Sequence, residues 1–115
     1  MGALDRNALI ERGQRQTMSV DLGADDSIEI IELMGSDRDE YEHYVEKANK
    51  GSWRGIRAKL AQLSIINGDG KLMFEPNELT IVGEMSATLL DRVFMAALAF
   101  NGLEADALEQ ARKKS

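Results

Sequence analysis

Ala87 to Asn101 is the segment that most limits the folds open to this chain. Ser86 stands where a helix N-cap belongs and Gly102 where a C′ glycine belongs. Between them Leu89, Leu90 and the continuous apolar run Val93 to Phe100 leave Asp91 and Arg92 as the only charges. A helix that is apolar almost all round cannot keep every face on its own core in a small domain. Either it is a central helix wrapped by the others, or one side of it is offered to a partner or a sister subunit. Leu89, Val93 and Phe100 are the candidate protein-binding residues on that second reading. Met34, Met73, Met85 and Met95 would lend such a surface the adaptability of thioethers.

The remaining chain supplies modest packing partners. Its 115 residues make one domain, 1–115, with 1–16 and 104–115 peripheral or flexible. Ala3 to Arg12 carries Leu4, Ala8 and Ile10 at loose helical spacing. Thr17 to Leu22 and Ser27 to Met34 alternate apolar and polar residues across Gly23-Ala24-Asp25-Asp26, the signal of a hairpin, although Ile30-Ile31 breaks the alternation. With Ser36 as cap, Tyr41, Tyr44, Val45 and Ala48 define one helical face that ends before Gly51. Trp53, Ile56, Leu60 and Leu63 define a second, over Trp53 to Ile66, with Arg54, Arg57 and Lys59 on a basic side turned to water. Asn67 to Lys71 is turn chemistry, Leu72 to Phe74 an apolar plug, and Pro76 opens a short helix stopped by Gly83. Glu104 to Lys113 reads as a last polar helix. The expected fold is therefore mostly α, a small helical domain with a small N-terminal β-hairpin.

Composition narrows the function. A formal net charge of −6 opposes nucleic-acid binding, which requires a surplus of Lys and Arg to replace phosphate counterions, and equally opposes docking on an anionic bilayer. The chain has no cysteine, so disulfides and thiolate metal sites are excluded. The first fifteen residues lack a signal-peptide core, and Val93 to Phe100 is too short to span a membrane. These features suit a cytoplasmic protein.

Each candidate for chemistry fails on its own terms. If Gly70 were the glycine of an EF-hand loop, Ile65 and Pro76 would occupy the first and twelfth ligand positions, and neither offers a carboxylate. His43 is the only histidine and has no partner to orient it. No G-x-S-x-G or phosphate-binding glycine loop occurs. The carboxylates crowded from Asp25 to Glu46 could serve a hydrolase only inside a desolvated pocket; on helix and turn positions they read as a solvated acidic face. No catalytic residue, metal or cofactor is expected.

Taken in order, Trp53-Arg54-Gly55-Ile56-Arg57, Leu63 to Lys71, Phe74, Leu79, Gly83, Leu90 to Phe94 and Asn101-Gly102-Leu103 resemble the tail assembly chaperones of long-tailed bacteriophages. About half the chain carries the likeness, and its weight lies in the order of motifs that are individually generic. The resemblance implies a non-catalytic protein of the host cell cytoplasm that binds the tape-measure protein while the tail is built and is absent from the mature virion. It also implies homo-oligomers, helical or ring-like, and contacts with the tail tube protein and with a frameshift-extended form of the chain itself. The alternative class is a structural tail-completion or head–tail connector protein of the virion.

Overall fold

A computed structural model of the chain describes residues 2–50 and 55–103, with side chains placed for 2–47 and 55–103. Trp53, Ser52 and the segment Glu104 to Lys113 lie outside the described residues.

The first helix, α1 (Arg6–Arg12), starts where Asp5 Oδ1 accepts from the Ala8 N–H at 2.8 Å, an N-cap bond. β1 (Thr17–Gly23) and β2 (Asp26–Ile31) then form an antiparallel hairpin in which Met18 faces Ile30 and Val20 faces Ile28. The two residues at its tip, Ala24 and Asp25, both have positive φ, 52° and 64°. That sign suits the right-handed twist of the strands, at a cost for residues with a Cβ.

α2 (Gly35–Lys50) follows. Its first bond runs from the Arg38 N–H to the Met34 carbonyl at 2.9 Å, so Ser36 sits inside the first turn rather than capping it. α3 (Ile56–Ser64) packs against α2, α4 (Leu79–Gly83) and α5 (Ala87–Phe100). Because it is covered on several sides, every residue of α3 except Arg57 is buried. This short helix is the centre of the fold.

The expectation of a mostly α domain with one small hairpin is wrong. After Ser64 the chain becomes extended, and β3 (Ile65–Ile66) pairs antiparallel with β2, Ile30 against Ile65 and Glu29 against Ile66. The described residues thus form five α-helices and a three-stranded antiparallel sheet in the order β1-β2-β3, a mixed α/β domain. The segment read as the end of a helix is a strand because β-branched Ile65 and Ile66 fit a pleated position buried on both sides better than a helix end. Beyond the Asn67–Lys71 turn, the Met73 N–H donates to the Ile65 carbonyl at 2.9 Å and Leu72 bridges Ile66, which occupies the far side of β3.

Pro76 opens a 3-10 turn, Pro76–Glu78, with a capping box between Glu75 and Glu78, and this leads directly into α4. α5 begins at Ser86, whose Oγ accepts from the Leu89 N–H. At its other end the Leu103 N–H donates to the Leu98 carbonyl at 2.9 Å and the Gly102 N–H to Ala99 at 3.2 Å, a Schellman closure with Gly102 at φ 66°. No helix among the described residues is long and apolar enough to cross a membrane.

Candidate protein-binding surface

α5 is less uniform in its surroundings than in its sequence. Leu90, Val93, Phe94, Ala97 and Leu98 are buried at a spacing of three and four, which makes one side of the helix core. Val93 is completely buried, so it belongs to that core and cannot touch a partner in the folded chain. Leu89 and Phe100 are half-buried and pack against the same core. The outward stripe is instead Thr88, Asp91, Arg92, Met95 and Ala99, with Met95 53% exposed. Asp91 is paired with Arg57 of α3 at 2.5 Å, and that guanidinium also lies 5.9 Å from the centre of the Phe94 ring. The contact fixes α5 on α3, but with both groups about half exposed it contributes little stability.

Unspent apolar surface is largest at the N-terminus. α1 has no buried residue, and Leu4, Leu9 and Ile10 are all about half exposed or more. A seven-residue helix gains little from its own hydrogen bonds in water and depends on something to pack against. Met34, Met73 and Ile81 are exposed as well, each on a different segment, whereas Met85 packs against the core.

The basic side expected on α3 is only partly there. Arg57 is exposed, but Lys59 is 5% exposed, and its ammonium meets Glu40 of α2 at 2.8 Å and Gln62 Oε1 at 3.4 Å. Gln62 in turn donates to the Phe74 carbonyl at 3.1 Å, tying α3 to the plug after β3. Ser64 Oγ, also buried, has no hydrogen-bond partner. Arg54, the third basic residue, lies outside the described residues.

The carboxylates of Asp25 to Glu46 divide between the hairpin tip, the outer face of β2 and α2, and Glu40 is taken up by Lys59. Burial raises the Asp37 carboxyl above its ordinary value, with Arg15 acting in the opposite direction. Among the described residues no three His, Cys, Asp or Glu side chains stand close enough to hold a metal ion. His43 is exposed on α2.

An open cleft of about 460 Å³ lies between the end of α1 and the end of β2, lined by residues 12–15 and 32–35. Glu32 organises its floor: its carboxylate accepts from the Gln16 N–H at 2.7 Å, and its carbonyl accepts from Arg15 Nη1 at 3.4 Å. The cleft shares Met34 with the exposed methionines and borders α1. Sequence periodicity did not reveal this place, because it depends on how α1 meets the sheet. Leu9, missed in the loose Leu4/Ala8/Ile10 spacing, is the most exposed large apolar side chain among the described residues.

No family model, curated protein or solved structure matches the chain.

Proposed function

We propose that the protein is a tail assembly chaperone of a long-tailed phage, acting in the host cell cytoplasm by holding the tape-measure protein during tail construction. The observation that carries the reading is α1, a helix without one buried residue that displays Leu9 and Ile10 to water, with Leu4 exposed just ahead of its cap. Large exposed apolar side chains on a separate short helix suit capture of an amphipathic helix, whose own i, i+3, i+4, i+7 residues can meet them without strict sequence demand. The motif order from Trp53 to Leu103 supplies the partner, and the paired, scattered polar groups favour a binding role over a catalytic one. Binding is assigned to α1 and the outward Met95 stripe of α5, and not to Val93.

The experiment is co-expression with the tape-measure protein followed by affinity capture. Leu9→Asp with Ile10→Asp should abolish capture and leave thermal unfolding nearly unchanged, as surface substitutions do. Val93→Asp should simply unfold the chain. Capture that survives the α1 double variant would remove the assignment, and the protein's presence in purified mature particles would place it among virion components.

A further inference from the structure

Two asparagines of the chain are followed by glycine, Asn67 and Asn101, and the fold treats them in opposite ways. An Asn-Gly pair can react with itself. The glycine nitrogen attacks Cγ of the asparagine side chain, ammonia leaves, and water opens the five-membered succinimide that results. The glycine N–H must be free to lose its proton and Nδ2 free to depart, and the charge that develops on Oδ1 must be stabilised.

Asn101 is held back at the first two requirements. Its Nδ2 donates to the Ala97 carbonyl at 2.9 Å, its Oδ1 is engaged by the Leu33 N–H at 2.8 Å, and the Gly102 N–H donates to the Ala99 carbonyl at 3.2 Å. Asn67 meets all three. It lies with Gly68 in the exposed turn after β3, and among the described residues nothing accepts from its Nδ2 or from the Gly68 N–H. Asn67 Oδ1 accepts from the Asp69 N–H at 2.9 Å and from the Lys71 N–H at 3.2 Å. Two donors thus already face the oxygen that turns negative as the bond to Cγ forms. Asp69-Gly70 is the corresponding aspartate pair, but its Gly70 N–H donates to the Asn67 carbonyl at 3.0 Å.

We propose that Asn67 is a self-modification site of the folded chain. Hydroxide takes the Gly68 proton, the N–Cγ bond forms, and the Cγ–Nδ2 bond breaks as ammonia leaves with a proton from water. Water then adds at either succinimide carbonyl. One opening gives aspartate, and the other gives isoaspartate, with a methylene added to the main chain. Either product adds a negative charge. Isoaspartate also lengthens a turn in which the Asn67 N–H donates to the Lys71 carbonyl at 2.8 Å and which returns Leu72 and Met73 to β3. The modified chain should therefore lose its hold on the far side of β3. None of this depends on what the chain binds.

The full chain is held at mildly alkaline pH, once folded and once in concentrated urea, and the peptides containing each asparagine are weighed over time. Exchange of NH2 for OH should proceed at Asn67 in the folded chain. Asn101 should lag by at least about tenfold, because three hydrogen bonds must open there, each worth a factor of a few. In urea the two rates should converge. Methyl label from S-adenosylmethionine, transferred by a protein-isoaspartate methyltransferase, should appear at position 67 in step with the mass change. Gly68→Ala fits the turn, since Gly68 has no positive φ and an added Cβ meets nothing within 4 Å. It should slow the reaction severalfold by crowding the attacking nitrogen. If that variant alters the circular dichroism spectrum, Asn67→Asp serves, because it keeps an acceptor for both N–H groups and should abolish ammonia release from the folded chain. Asn67 reacting no faster than Asn101 in the folded chain, Asn67 reacting only in urea, or ammonia release that survives Asn67→Asp would each overturn the proposal.

Discussion

Asn101 Oδ1 accepts a hydrogen bond from the Leu33 backbone N–H at 2.8 Å, across 68 residues of sequence. The same side chain donates from Nδ2 to the Ala97 carbonyl at 2.9 Å. One amide thus joins the end of β2 to the last turn of α5, and Gly102 and Leu103 complete the closure beside it. Asn101→Ala should destabilise the domain by about 1–3 kcal/mol, since a part-buried N–H is left without an acceptor. Asn101→Asp keeps the acceptor and loses the donor, and should cost less at neutral pH. Urea unfolding of the two variants checks the order.

Ser64 gives the opposite expectation. Its hydroxyl is buried and unpartnered in the most enclosed helix of the fold. Ser64→Ala removes a polar group that gains nothing from the interior, and should leave stability unchanged or raise it by about 1 kcal/mol. A loss of more than that in chemical denaturation would mean that the hydroxyl has a partner after all.

The hairpin tip is built from residues that do not favour it. Ala24 holds φ 52° with a Cβ, and Asp25 follows at 64°. Ala24→Asn should stabilise by about 1 kcal/mol, because Asn tolerates the left-handed region and Ala does not. The gain should appear as a higher unfolding midpoint without a change in the slope against denaturant.

Tyr41 is 4% exposed, and burial pushes its phenol up from 10.0 to about 12. The unfolded chain therefore loses this proton at lower pH than the folded one. The neutral phenol's contribution is complete below pH 10 and disappears as pH rises from 10 to about 12. Tyr41→Phe should flatten that alkaline decline. Thermal melts of both proteins across this interval would show it, and parallel curves would assign the decline elsewhere.

The parts of the fold legible in the sequence were those governed by local signals. Ser86 and Gly102 bracket α5 as caps do, and Met18, Val20 and Ile28 placed the hairpin by alternation. β3 was hidden because Ile65 and Ile66 continue the apolar stripe of α3 without interruption. Its signature was a doublet: Ile30-Ile31 and Ile65-Ile66 both break an expected period, and Ile30 and Ile65 face each other in the ladder. Each doublet is buried on both residues, which neither a half-exposed strand nor a half-exposed helix permits. The same effect bears on α5. An apolar count cannot say which side of α5 meets α3, and it is Val93 that fills the core, with Leu89 and Phe100 half-buried at its margin. Lys59 was assigned to water because charge alone does not reveal an approaching Glu40.

β2 draws its two neighbours from opposite directions along the chain, β1 from just before it and β3 from beyond α2 and α3. During synthesis a ribosome that has released only the first two strands has released a hairpin too small to persist in water. Its core face, Val20 and Ile30, waits for helices made later. The last of them, α5, carries the residue that locks Leu33 in place. Resistance to protease should therefore reach the nascent chain late and together, once α5 and its closing Asn101 have left the exit tunnel, rather than advancing strand by strand from the N-terminus.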